Sequence, residues 1–289
     1  MADLSYVAPD SIDAAVALLT KAGDGARVMA GGTDVLVLLH GEIIAPELIV
    51  DIKNIPEMRA IAAEDGGWRV GAAVPGMELM DHEGFSSDWP GVIEGVALIG
   101  SVQIKGRASM GGNLCNASPA ADSVPPLIAA GAVCNIAGPN GTRAAPVEDI
   151  VTGPGQTSLA TGEIVVSFSF PARAPHSGDC YLRLTPRTEM DIAVVGVAAN
   201  LTLDGSGICT AARISLGAVA PTPLLVADAA AALIGSKVDA AALADVAGAA
   251  SAACNPIDDK RGTIEYRVKT AAVMARRAVE TALHRAQAN

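Results

Sequence analysis

Paired cysteines are the first absence. Five cysteines, Cys115, Cys134, Cys180, Cys209 and Cys254, are spread over 289 residues. Their number is odd, no C-x-x-C pair occurs, and no cysteine–histidine cluster has metal-ligand spacing, which argues against a disulfide framework and a zinc site. Such usage fits a reducing cytoplasm. No run of about 18 apolar residues occurs, and Met1-Ala2-Asp3-Leu4-Ser5-Tyr6 lacks the basic and apolar regions of a secretion signal, so neither a membrane span nor export is expected. Positive charge is also scarce: 20 Lys and Arg against 31 Asp and Glu leave −11. That balance opposes the counterion release that drives nucleic-acid binding. What is present is length enough for about two domains. A hydrophobic content of 51% against 18% charged points to a compact chain with a sizeable core.

Punctuation by glycine and proline divides the chain. Ser11 can cap a helix carrying Ile12, Val16 and Leu19, with Gly23 and Gly25 as its exit. Arg27 to Ala30 reads as a buried strand, Gly31-Gly32 as a turn, Val35 to Leu39 as a helix and Leu48 to Ile52 as a strand, together a small β/α layer. Strands at Met58 to Ala63 and Trp68 to Ala73 flank Asp65-Gly66-Gly67, and a second hairpin is expected at Gly138-Pro139-Asn140-Gly141. Residues from about Pro56 therefore read as antiparallel. Glu163 to Phe170 is strand-like, and Pro171 to Gly178 is the best linker, which places the domain boundary there. Beyond it, Val194 to Leu203 and Ile208 to Val219 bracket Asp204-Gly205-Ser206-Gly207 as a long hairpin. The Ala-rich remainder is helical in tendency. A last helix over about Thr263 to Ala286 would bury Ile264, Val268, Ala271, Val279 and Leu283. The C-terminal part is α+β.

Two segments offer chemistry. In Val28-Met29-Ala30-Gly31-Gly32-Thr33-Asp34-Val35, a strand runs through two glycines into a helix, exposing N–H groups that can hold a pyrophosphate. An ordinary strand-to-helix turn capped by Thr33 or Asp34 fits this segment equally well. The second, Ala108 to Asp122, is a run of small and polar residues too long for a simple turn. Its Gly111 and Gly112 can approach phosphate closely, and Ser109, Asn113 and Ser118 can bond phosphate or ribityl oxygens. Asp122 can accept from hydroxyls, and a solvated surface loop is the bland alternative. The dinucleotide fingerprint G-x-G-x-x-G and the P-loop are both absent. His40, His82, His176 and His284 are scattered surface or helix-end residues without a nucleophile elbow. Lys269, Arg276, Arg277 and Arg285 form either a solvated helical face or a surface for an acidic partner.

These two segments resemble the FAD-binding medium subunit of the molybdenum hydroxylases, the carbon monoxide and xanthine dehydrogenase type, over essentially the whole chain. The resemblance rests on Ala30-Gly31-Gly32-Thr33-Asp34, on Ser109-Met110-Gly111-Gly112-Asn113-Leu114, on Ala117-Ser118-Pro119-Ala120-Ala121-Asp122, and on Glu163-Ile164-Val165-Val166 before Pro171. It implies that Met29, Ala30, Gly31, Gly32, Thr33, Asp34, Val35 and Leu36 clasp the FAD pyrophosphate from one side. Ser109, Met110, Gly111, Gly112 and Asn113 would clasp it from the other, with Asp122 in the same site. Ile99, Gly100, Val165 and Val166 would be apolar walls. Arg183 falls where relatives carry a lysine near the flavin, with Arg187 as the competing cation that could tune the reduced ring. Cys115 reads as a small apolar residue in a packed turn rather than a cluster ligand.

The implied architecture is α+β. A two-part FAD domain covers 1–174, with a parallel β/α layer over 1–54 and a mainly antiparallel part over 55–174, and a smaller α+β domain covers 175–289. The implied role is electron transfer by an oxidoreductase subunit with no catalytic residue of its own. Electrons would come from a 2Fe–2S small subunit to an external acceptor, while a molybdopterin-binding large subunit carries the molybdenum cofactor. A dimer of such heterotrimers, in the cytoplasm, is the implied assembly. The alternative is a stand-alone FAD-dependent oxidoreductase of the same fold, and a third reading is an assembly module that has lost its cofactor.

Overall fold

The structure is a computed structural model that describes residues 4–289. Met1 to Asp3, where the N-terminal segment judged to lack an export signal begins, lie outside the described residues. The first layer consists of β1 (Ser5–Val7), α1 (Ile12–Ala22), β2 (Ala26–Met29), α2 (Val35–His40) and β3 (Leu48–Asp51). Its strands are parallel in the order β1–β3–β2. Helix α1 buries Ala15, Val16 and Leu19 and stops at Gly23, whose φ of 54° is costly for a residue with a Cβ. Ser11 contributes an extended backbone at the entry but no side-chain capping bond.

An antiparallel sheet follows. Its first hairpin is β4 (Ile61–Glu64) and β5 (Gly67–Gly71), closed by Asp65 and Gly66 at φ 53° and 77°, the turn conformation that matches strand twist. The strand expected from Met58 starts only at Ile61, because Pro56 opens a 3-10 turn over Pro56–Met58, where its fixed φ is already suitable. Six short helices come next: α3 (Gly76–Met80), α4 (Glu83–Asp88), α5 (Pro90–Ala97), α6 (Val102–Lys105), α7 (Met110–Cys115) and α8 (Val124–Ala130). Nothing in the periodicity of this stretch announces them, and α7 stands where a polar loop is expected. The sheet is completed by β6 (Val133–Gly138) and β7 (Gly141–Pro146), which form the expected hairpin at Pro139-Asn140. A small hairpin of β8 (Val151–Gly153) and β9 (Gln156–Thr157) precedes β10 (Ile164–Phe170), and the sheet order is β4–β5–β10–β6–β7.

The last part is a sheet of β11 (Ser177–Leu184), β12 (Val195–Leu203), β13 (Cys209–Gly217) and β14 (Leu224–Leu225), antiparallel and in sequence order. Helices α9 (Ala227–Ala231), α10 (Ala240–Ala253) and α11 (Ile264–Ala288) complete it. Thr263 caps α11 by accepting from the Tyr266 N–H at 3.1 Å. The helix buries Ala271 and Val279 as its apolar spacing implies, but Ile264 is exposed. Arg267 is buried instead, donating to the carbonyls of Val194 and Ala218 at 2.7 and 3.0 Å and to Asp259 at 2.8 Å.

Two large hydrophobic cores result, one among residues of Ala15 to Phe170 and the other among residues of Cys180 to Ala286, with a small third cluster of Ala129, Tyr181 and Ala198 between them. A polar seam joins them. Arg173, in the connecting segment, donates to Asp179 at 2.8 Å and lies 4.5 Å over the Trp89 ring, a cation–π contact. Glu94 on α5 accepts from the Tyr181 N–H at 2.8 Å and from Arg285 at 2.5 Å. Helix α8 carries Ala129, whose carbonyl accepts from Asn200 on β12 at 3.1 Å.

Candidate functional site

A cavity of about 790 Å³ is lined by the β2–α2 turn, the α6–α7 turn, the start of β10 and residues 190–192 of the loop after β11. Each wall follows from local sequence. Strand β2 ends at Met29, and Gly31 and Gly32 turn the chain into α2. A Cβ on Gly31 would sit 1.9 Å from the Arg107 carbonyl oxygen, so only glycine lets the two turns meet. Gly32 has φ 77°, again a glycine conformation.

The consequence is a row of free donors. Among the described residues, the N–H groups of Gly31, Gly32, Thr33, Asp34 and Val35 meet no protein acceptor, while the carbonyls of Gly32 and Asp34 begin the helix by accepting from Leu36 and Leu38 at 3.1 and 3.0 Å. Consecutive N–H groups at a strand-to-helix turn form an anion cradle. Asn116 Nδ2 donates to Asp34 Oδ1 at 3.3 Å, tying this turn to the second one.

The second glycine pair is built differently. Ser109 Oγ accepts from the Gly112 N–H at 3.1 Å, capping α7. The Gly111 N–H donates to the Ala72 carbonyl at 3.2 Å, and a Cβ on Gly111 would fall 2.5 Å from that oxygen. Gly111 is therefore required by packing against the end of β5, and the donors of both glycines are already used. Asn113 Oδ1 accepts from the Ser123 N–H and hydroxyl at 3.2 and 2.7 Å, which aims the amide. Cys115, at the end of α7, is exposed and lines the cavity rather than packing into a turn.

Asp122 forms part of the wall, with one oxygen accepting from the Tyr181 hydroxyl at 2.8 Å and the other from Arg183 at 2.7 Å. Burial pushes the Asp122 carboxyl above its ordinary value, with the Arg183 charge and the bonds from Tyr181 and Arg183 pulling the other way. Burial, and then the neighbouring Asp122, push the Tyr181 phenol well above its ordinary value. Arg183 also donates to the Leu98 carbonyl at 3.0 Å. It stands behind Asp122 and does not line the cavity. Arg187 is exposed and held by Asp191 at 3.1 Å.

Of the residues singled out in the sequence, the structure gathers Met29 to Val35, Ile99, Gly100, Ser109, Gly111, Gly112, Asn113, Asp122 and Val165 around this one cavity. Leu36 is exposed on α2, and Met110 and Val166 lie in the core. Sequence reasoning missed Ile164, Ile104, Met190, Asp191 and Ile192, which also line it. It also missed Tyr181. Alternation along a strand was the available signal for Tyr181, which is two residues from Arg183 and so shares its face. Among the described residues no group of three or more His, Cys, Asp or Glu could hold a metal, and no helix is long and apolar enough to cross a membrane.

Comparison with known proteins bears on what the cavity holds. Residues 181–282 match the family described as CO dehydrogenase flavoprotein C-terminal domain. The chain is 35% identical over 282 residues to the carbon monoxide dehydrogenase medium chain of Afipia carboxidovorans, covering 98% of this chain and 97% of that one. It is 30% identical to the alpha subunit of the 6-hydroxypseudooxynicotine dehydrogenase complex of Paenarthrobacter nicotinovorans, covering 98% and 95%. Its fold superposes on a crystal structure of Cu,Mo-CO dehydrogenase with a TM-score of 0.94 at 34% identity, covering 98% of both chains. Residues 2–173 match the FAD binding domain in molybdopterin dehydrogenase, and with more than half its length so matched the chain belongs to that family of FAD-binding dehydrogenase subunits.

Proposed function

We propose that this chain is the electron-relay subunit of a heterotrimeric molybdenum hydroxylase, holding FAD in the cavity between its two glycine turns. Electrons would arrive from a 2Fe–2S small subunit and leave to an external acceptor, with the substrate oxidised on a molybdopterin-binding large subunit. The observation that carries this reading is the row of unpaired N–H groups from Gly31 to Val35 facing a cavity of about 790 Å³. Such a cradle fits a pyrophosphate. The remaining walls fit the rest of an FAD: Ser109 and Asn113 offer polar groups, and Ile99, Ile104, Ile164 and Val165 offer an apolar slot that excludes water, the usual make-up of a cofactor site.

When bound, FAD supplies reversible one- and two-electron transfer. The chain's own residues bind and shield it. Asp122 supports the wall with both oxygens already engaged by Tyr181 and Arg183, which leaves it poorly placed to move a substrate proton. That engagement favours a relay over a stand-alone oxidoreductase. The two large cores support a division at 174/175, and the change from the parallel sheet to the antiparallel one supports a subdivision of the first unit at 54/55. A cytoplasmic dimer of heterotrimers, with no nucleic-acid partner, completes the reading.

Capture of the tagged chain from its native cells, followed by a visible spectrum and metal analysis, tests this. Flavin, iron and molybdenum with two further chains is the expected result. Flavin with this chain alone would overturn the relay reading in favour of an independent flavoenzyme.

A further inference from the structure

The proposed cradle must hold an anion, yet among the described residues the cavity lining offers it no free cation. Its charged residues are Arg27, Asp34, Asp122, Glu163 and Asp191, of which Asp122, Glu163 and Asp191 are already paired with Arg183, Arg143 and Arg187. Arg27 is directed elsewhere, donating to the carbonyls of Asp24 and Ala26 at 3.0 and 2.7 Å. The cation bonded to the turn itself is Lys53, which follows β3 and lies outside the cavity lining. Its Nζ donates to the Ala30 carbonyl at 2.8 Å and to Asp51 Oδ2 at 2.6 Å.

Asp51 is only 5% exposed. Its other contacts fix it in place: Oδ1 accepts from the Lys53 N–H at 3.0 Å, and Oδ2 accepts from the Tyr6 hydroxyl at 2.5 Å. A chain of hydrogen bonds thus crosses the parallel layer from edge strand β1, through the end of β3, to the last residue before the glycines. Burial alone would raise the Asp51 carboxyl, but the bonds from Lys53 and Tyr6 hold it below its ordinary value, so it remains an anion able to anchor the ammonium.

The Ala30 carbonyl and the Gly31 N–H belong to one planar peptide group. A cation bonded to the carbonyl polarises that group and makes the N–H a stronger donor, the cooperative strengthening expected of linked bonds in a low-dielectric setting. We infer that Lys53, anchored by Asp51 and Tyr6, is a positioning residue of the pyrophosphate cradle, orienting and polarising the Ala30–Gly31 peptide from behind. This inference rests on the FAD reading of the cavity. It adds a residue that touches no cofactor atom and sets the strength of the first donor.

The test uses the full chain, stripped of flavin and titrated with FAD and with riboflavin, which lacks the phosphates. Wild type should bind FAD, and Lys53→Met should weaken it about tenfold or more. Riboflavin binding should change by less than about twofold, since that ligand offers the cradle no anion. The 31P resonances of bound FAD should shift in Lys53→Met while the visible flavin band stays in place, and Lys53→Arg should recover most of the affinity. Tyr6→Phe, which leaves the Lys53–Asp51 pair intact, should retain the fold and weaken FAD by a smaller factor. Wild type that binds no FAD would overturn the cavity reading and this inference with it. Wild-type affinity in folded Lys53→Met, or an equal loss for FAD and riboflavin, would overturn this inference alone. If Lys53→Met does not fold, unchanged FAD affinity and unchanged 31P resonances in Tyr6→Phe would overturn it as well.

Discussion

Two glycine pairs face one cavity and are used in opposite ways. At Gly31-Gly32 the N–H groups are unpaired among the described residues and continue as a row to Val35. At Gly111-Gly112 both are spent, one on the Ala72 carbonyl and one on the Ser109 hydroxyl. The same dipeptide therefore leaves its donors free in one turn and spends them on the protein in the other. The difference comes from what precedes each pair. A strand end leaves N–H groups without acceptors, whereas a serine cap and a neighbouring strand supply them. Glycine reports close approach in both places, and only the backbone partners say whether a ligand or the protein is what approaches.

The sharpest perturbation of the scaffolding side is Asp122→Asn. It turns one of the two accepting oxygens into an amide N–H that faces the Tyr181 hydroxyl or the Arg183 guanidinium, and leaving such a buried donor without its acceptor costs about 3 kcal/mol. Chemical denaturation should show the loss. The same variant changes a pH dependence. The carboxyl is raised above its ordinary 3.8, so its protonated form contributes stability below that value, and the contribution is lost as pH rises through the folded value. Wild type should show that downward slope above pH 3.8, and Asp122→Asn should lack it.

On the cradle side, Gly31→Val places a Cβ where the Arg107 carbonyl oxygen lies 1.9 Å away, so the two turns must separate. FAD affinity should fall about a hundredfold, roughly 2.8 kcal/mol, as measured by flavin titration. Gly111→Val should act on the fold instead. The clash with Ala72 costs about 2 kcal/mol of stability by overpacking, while the folded fraction keeps its FAD affinity within about threefold. Equal affinity losses in the two variants would erase the distinction between the turns. The smallest effect belongs to Ser109→Ala, which removes the cap of α7 and should cost about 1 kcal/mol in thermal or denaturant unfolding.

Much of the frame was legible because turns announced it. Gly23, Asp65-Gly66, Pro139-Asn140 and Asp204-Gly205 mark element ends with residues suited to turns, and the β/α layer and all three expected hairpins follow. Strand β1 was not legible, since Ser5–Val7 is only three residues, all exposed, and pairs with β3 alone. The helices between β5 and β6 were hidden for another reason. They run from four to eight residues, too short for a 3.6-residue period to repeat. Helix α7 also contains two poor helix formers and depends on Ser109 and Ala72 for its hold.

The residues of the cavity wall were legible where a motif carried them and silent where tertiary packing did. Gly31 to Val35 stand in one run, whereas Met190 to Ile192 reach the cavity from the loop between β11 and β12. Lys53, just past the end of β3, reaches the first turn through a bond to Ala30 across 23 positions. A short Asp-x-Lys sequence after a strand carries no hint of that reach.

The most direct test is a crystal structure of the FAD-loaded chain. The expected result is pyrophosphate oxygens bonded to the N–H groups of Gly31 to Val35, with the flavin ring beside Ile164 and Val165. A pyrophosphate seated instead on α7, with the Gly31–Val35 donors facing water, would contradict it.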